Sequence, residues 1–194
     1  MRDIHQLSGR MGNEMFRDAY IFSQFKKGEI PDVYLQNPKY FEEFKEEIKQ
    51  RYGDGIGYLP YVAVHLRVGS NPVDPKEPRY SDNPFYVNLS KTGYYIDATN
   101  LFPNRKFLVF SDDNELARTY FEGDKFAFAD SETDVEAFNQ MASCQDHIIA
   151  NSSFSWWAAF LSPSLNKKVV APTVDKWHND GIERTVCPED WIRI

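Results

Sequence analysis

Three polar runs, each placed directly after a short apolar run, carry the groups in this sequence that can hold an anion or a nucleotide. The first is His65-Leu66-Arg67, which closes the run YVAVHL at 61–66. A guanidinium at the end of a buried strand costs desolvation unless an anion pairs with it. Its planar fork fits a diphosphate, and it fits a carboxylate within the sheet equally well. The second is Asn151-Ser152-Ser153, between HIIA at 147–150 and an apolar run that begins at Phe154. A helix starting there offers free N–H groups and two hydroxyls to a phosphate. Serine is also an ordinary N-cap, the favoured reading of these residues taken alone. With Arg67 on a neighbouring strand, a phosphate cleft gains weight. The third is Ser111-Asp112-Asp113. Adjacent aspartates point apart and rarely chelate one ion, so a helix cap ahead of Asn114 and Glu115 is the plainer account. A ribose or base contact from Ser111 or Asp112 stays open.

His65 and a glycine-punctuated segment complete the set. His65 faces away from its strand neighbours, as a core histidine or as a group that hydrogen-bonds across the site. The segment GRMGNEMF at 9–16 precedes a helical pattern. It is neither a G-x-G-x-x-G fingerprint nor a P-loop. Gly12 allows close backbone approach, and Asn13 caps the helix or touches a ligand.

These residues need elements to position them. Apolar spacing predicts helices over 13–25, 40–52, 85–101, 114–121, 134–144 and 154–161. Strands are expected at 4–7, 61–66, 106–110, 126–129, 147–150 and 167–171, five of them after Tyr61. Short buried strands that alternate with helices indicate a parallel α/β sheet, whose ligands bind at the strand C-termini. The glycines at 53–57 mark the expected boundary, giving segments 1–57 and 58–194.

Composition narrows the class. A chain of 194 residues that is 42% hydrophobic is long enough for one ordinary domain, or for one full domain and a small second one, and can build a sizeable core. A net charge of −7 repels phosphate backbones and anionic lipid, so nucleic acid and membrane surfaces are poor partners, and any phosphate must be held by a local constellation. Two cysteines and four scattered histidines suggest neither a disulfide framework nor a metal cluster. No apolar run reaches membrane-spanning length, and the first ten residues lack a signal-type core, so a cytoplasmic location is expected.

Four segments together resemble glycosyltransferase family 11, the GDP-fucose-dependent α-1,2-fucosyltransferases. They are GRMGNEMF, VAVHLRVG at 62–69, FLVFSDD at 107–113 and HIIANSSFSWWAAFL at 147–161. The segments YLQNPKYF at 34–41, VVAPTVDKWHNDG at 169–181 and CPEDWIRI at 187–194 agree with it. The resemblance implies a GT-B-like fold with a Rossmann-like parallel-sheet donor domain, here with a much reduced N-terminal acceptor domain. It implies an inverting transfer of L-fucose from GDP-fucose to a glycan hydroxyl, with a galactose-terminated acceptor and no metal cofactor. Another fucosyl linkage and a non-catalytic GDP-sugar-binding role are the alternatives. Arg67, His65 and Asn13 would be the catalytic residues, with Arg67 holding the diphosphate and His65 fixing Arg67 or the sugar. Asn151, Ser152, Ser153 and Phe154 would meet the donor phosphate, and Gly12 and Asn13 the transferred sugar or the acceptor. The family's H-x-R-R-G-D reads HLRVGS here, with Val68 and Ser70 in place of the second cation and the carboxylate. Relatives place a guanine-reading acid in the helix before HIIA, and Glu136 is the expected one, ahead of Asp134. A reduced acceptor half would leave apolar surface, so self-association is expected.

Overall fold

Six strands, most of them β-branched or aromatic runs, form in the computed structural model of the chain, which describes residues 11–27, 38–69, 78–177 and 187–194. They are β1 (Leu59–Leu66), β2 (Phe107–Ser111), β3 (Phe126–Phe128), β4 (Cys144–Ile148), β5 (Val169–Ala171) and β6 (Ile192–Arg193). All pair in parallel, in the order β3-β2-β1-β4-β5-β6. This is the strand order of a Rossmann-like, doubly wound sheet, with its reversal point between β1 and β4.

Alternation along each strand feeds two cores. Val62, Val64 and Leu66 of β1 point to one face, where α3 (Tyr94–Asn100) and α4 (Asn114–Tyr120) supply Tyr94, Ala98 and Ala117. Ala63 points to the other face, which holds α1 (Met11–Lys27), α2 (Lys45–Tyr52), α5 (Asp134–Ala142) and α6 (Ser153–Leu161). Helix α6 is apolar nearly all round and accordingly lies inside the molecule, with Trp156 and Trp157 fully buried. Phe16 of α1 packs on both indoles, at ring-centroid distances of 4.6 and 5.0 Å. That contact fixes α1 against α6. Met11, Met15, Phe16 and Ala19 of α1, Phe41, and Ile48 and Tyr52 of α2 thus share a core with the sheet that follows them.

Several expected elements differ. The single helix expected over 85–101 is a short 3₁₀ turn at Leu89–Lys91 followed by α3. The Asn88 side chain accepts from the Ser90 N–H, and Gly93 adopts a left-handed φ of 77°, so the helical course is broken there. The segment 40–52 also begins as 3₁₀ turns before α2. Strand β6 was not expected: it has two residues, both exposed. The strand expected at 4–7, together with Gly9 and Ser70, lies outside the described residues.

Candidate functional site

Parallel register brings the polar strand endings together. Leu66 lies opposite Ser111, so Arg67 and Asp112 emerge side by side from β1 and β2. Val64 lies opposite Ile148, which carries the loop 149–152 to the same edge. The edge opens into a cleft of about 860 Å³, lined by residues from all three strand endings, from α1 and from the start of α5. It sits at the reversal point of the sheet, where doubly wound folds bind ligands.

Two helix N-termini meet at one end of the cleft. Gly12 lies against α6 so closely that a Cβ there would sit 2.5 Å from the Ser153 carbonyl carbon and 2.7 Å from the Phe154 nitrogen. The Ser153 hydroxyl donates to Asn13 Oδ1 at 2.8 Å. Asn13 is the third residue of α1, so it is not the helix cap. Ser152 is the N-cap of α6 and its Oγ accepts from the Phe154 N–H at 3.3 Å. The positive ends of two helix dipoles therefore converge on one point.

Arg67 has partners within the sheet as well as a place in the cleft. Its Nε lies 3.5 Å from Asp112 Oδ2, and its guanidinium stacks on Tyr80 at 3.9 Å from the ring centroid. Asp112 Oδ1 accepts from the Val68 and Gly69 N–H groups at 2.9 and 2.8 Å. Asp112 is thus a brace for the turn after β1 and for Arg67, and those contacts occupy both carboxylate oxygens. The Ser111 hydroxyl is likewise engaged, accepting from the Asp113 N–H at 3.1 Å. Asp113 is the N-cap of α4.

His65 is buried, and its pKa is pushed down to about 3, first by burial and then by the nearby Arg67 charge. It is neutral at physiological pH. Its ring lies 5.8 Å from that of Phe154, and its carbonyl accepts from the Tyr95 hydroxyl at 2.8 Å. Asn151 lines the cleft, with its amide donating to the carbonyls of Val87 at 2.9 Å and Trp177 at 3.0 Å. Those contacts tie two loops to the cleft floor and make Asn151 a positioning residue.

Glu136 does not face the cleft. Its carboxylate accepts from the Glu132 and Thr133 N–H groups at 3.0 and 3.2 Å, completing a capping box with Thr133. The acids that line this end of the cleft are Asp130, Glu132 and Asp134. Sequence reasoning also missed Arg79 and Tyr80, which line the cleft beside Arg67 and Asp113. Both follow a Pro-rich stretch of sequence with no periodicity to announce a contact. The described residues contain no group of three or more His, Cys, Asp or Glu placed to hold a metal ion. None of their helices is long and apolar enough to cross a membrane.

Comparison with known proteins accords with this geometry. The family model described as glycosyl transferase family 11 matches residues 20–194. An α-1,2-colitosyltransferase of Escherichia coli is 31% identical over 87% of this chain and 63% of its own length. The O-antigen biosynthesis glycosyltransferase WbnK of Escherichia coli is 27% identical over 69% of this chain and 44% of its own length. The chain therefore spans less than two thirds of the length of these curated relatives. No solved structure matches it. With the family match running from α1 through the whole sheet, the chain belongs to glycosyl transferase family 11.

Proposed function

We propose that the chain transfers L-fucose from GDP-fucose to a galactose hydroxyl of an acceptor glycan, forming an α-1,2 linkage with inversion and without a divalent metal. The observation that carries this reading is the meeting of Arg67 with the N-termini of α1 and α6 at the C-terminal edge of the sheet. A diphosphate there meets the guanidinium donors of Arg67 and the positive ends of two helix dipoles. The acceptor oxygen attacks the anomeric carbon from the side opposite GDP. The new C–O bond forms as the bond to the β-phosphate oxygen breaks; GDP departs with the bonding electron pair, and the proton of the acceptor hydroxyl passes to water. Charge grows on the departing diphosphate, and prearranged donors stabilise it most at that stage. The acids at the other end of the cleft suit guanine, whose Watson–Crick edge carries N–H donors. Asp134, at the first position of α5, is the residue assigned to that contact.

The similarity to an α-1,2-colitosyltransferase favours a second reading, in which colitose is the transferred sugar. Thermal melts with GDP and UDP, each with and without chelator, test the nucleotide. A GDP-specific rise that chelator leaves intact is expected. An equal rise with UDP, or loss of the rise in chelator, contradicts the metal-free guanine reading. Incubation of a glycan array with the fucosyl and colitosyl donors, followed by linkage analysis, tests the sugar and the acceptor. Binding of GDP with neither transfer nor donor hydrolysis would leave a GDP-sugar-binding protein.

A further inference from the structure

Arg67 has a neighbour of the same charge that the sequence pattern did not announce. Arg79 lines the same wall of the cleft, with its side chain 43% exposed. The two cations are held in register by a short zipper. The Tyr80 N–H donates to the Gly69 carbonyl at 2.8 Å, and Arg79 Nε donates to the Val68 carbonyl at 3.4 Å. The Tyr80 ring then covers the Arg67 guanidinium. Each arginine is also matched to one of two consecutive aspartates. Asp112 pairs with Arg67, and Asp113 pairs with Arg79 Nη2.

The twin pairing has an electrostatic consequence. Asp112 and Asp113 offset the charges of the two arginines, so one guanidinium alone would leave the wall net negative toward a diphosphate. A guanidinium has five N–H donors in a planar fork. The contacts of Arg79 to Val68 and Asp113 use Nε and Nη2 and leave Nη1 unengaged. Asp113 itself stays fixed, because its Oδ1 caps α4 through the Leu116 N–H at 2.9 Å. Arg79 is therefore held at its Asp113 side, with donors remaining for an oxygen anion in the cleft.

We propose that Arg79 is a second phosphate-binding residue, which grips the terminal phosphate of a nucleoside diphosphate together with Arg67. The proposal rests on the donor reading above and adds to it a residue from outside the strand-end motifs. The alternative is that Arg79 only braces Asp113 and the turn after β1.

Titration calorimetry of wild type, Arg79→Gln and Arg79→Lys with GDP and with GMP separates the two. The two ligands share a base, a ribose and one phosphate, so the ratio of their affinities isolates the terminal phosphate. Removing a charge-assisted contact to it should cut the preference for GDP over GMP by roughly tenfold in Arg79→Gln. Arg79→Lys should keep part of the preference, because the cation remains while the fork is lost. A purely structural role would weaken GDP and GMP binding equally, and an unchanged ratio in Arg79→Gln overturns the proposal. Should that variant unfold, the same comparison is made on Arg79→Lys, where a wild-type ratio likewise overturns it. Wild-type protein that binds neither nucleotide sinks the donor reading and this proposal together, whereas wild-type GDP binding with an unaltered variant ratio sinks this proposal alone.

Discussion

Gly12 and Ser153, 141 positions apart in the chain, touch backbone to backbone, and that contact brings the N-termini of α1 and α6 to the same point of the cleft. A methyl group at position 12 would lie 2.5 Å from the Ser153 carbonyl carbon, and backbone cannot swing aside as a side chain can. Gly12→Ala should therefore force the helices apart at a cost of about 1–3 kcal/mol. The same separation breaks the Ser153–Asn13 hydrogen bond and widens the proposed phosphate site. Urea melts should show the stability loss, and calorimetry a matching loss of GDP affinity. A variant as stable as wild type would show that the approach is not needed.

Phe16 tests the packing that creates this contact. It is buried between Trp156 and Trp157. Truncation of a core phenylalanine typically costs about 3–5 kcal/mol. Phe16→Leu is the more useful change, since it keeps the site apolar and should cost less. It should lower GDP affinity only in proportion to the displacement of α1. Unchanged stability in either variant, measured by denaturant midpoint, would contradict the anchoring role.

Guanine selectivity should follow Asp134 and not Glu136. Asp134→Asn should erode the preference for GDP over other nucleoside diphosphates by about tenfold, the value of a hydrogen bond to a charged group. Glu136→Gln keeps an acceptor for the capping box and should leave selectivity intact. Competition binding with GDP, ADP and UDP reads both. The opposite pattern would return the role to Glu136.

Two buried histidines predict an acid sensitivity that begins above the carboxylate range. His65 and His147 are both pushed down to about 3, His65 by burial and then Arg67, His147 by burial and then Lys167. Both unfold to an ordinary imidazole near 6.5. The unfolded chain therefore binds more protons between those values, and stability must rise with pH across that window. It is full above about 6.5 and falls as the pH drops, by up to about 1.4 kcal/mol per pH unit per histidine. His147 is buried and neutral, so replacing it with an apolar side chain of similar volume, His147→Leu, should cost little at pH 7.5. It should remove about half of the slope between pH 6.5 and 5. Urea midpoints across that range check this, and a wild-type slope in the variant would contradict it.

Much of this arrangement is legible along the chain, for physical reasons that differ by element. YVAVHL, FLVF and VVA are short β-branched or aromatic runs buried on both faces, and such runs announce parallel strands. β6 escapes because two residues are too few to carry a pattern, and they pair only with β5 at the edge of the sheet. The stretch 85–101 has helical apolar spacing, yet Asn88 and Gly93 impose local turns that override it. Arg67, Ser152 and Gly12 were readable because they end or begin regular elements. Glu136 carried its own warning, since Thr133-Asp134-Val135-Glu136 is a T-x-x-E capping box. Arg79 and Tyr80 were not readable, because backbone contacts from Tyr80 to Gly69 and from Arg79 to Val68, which no sequence pattern marks, make them neighbours of Arg67 and Asp113.

The most direct test of the account is the turnover of donor by Arg67→Ala, with Arg67→Lys beside it and circular dichroism to establish folding. In the proposed mechanism Arg67, braced by Asp112, supplies a guanidinium to a site that otherwise offers helix dipoles and Arg79, which is itself paired with Asp113. Loss of such a transition-state contact costs roughly 3–4 kcal/mol, a rate loss of about a hundred- to a thousandfold. Its pair with Asp112 is partly exposed, so the alanine variant should remain folded and lose only about 1 kcal/mol of stability. Lysine should recover little, since it neither forks nor stacks on Tyr80. A folded Arg67→Ala protein whose turnover falls by at least a hundredfold is the predicted result. A folded variant that turns over donor at nearly the wild-type rate would contradict the account.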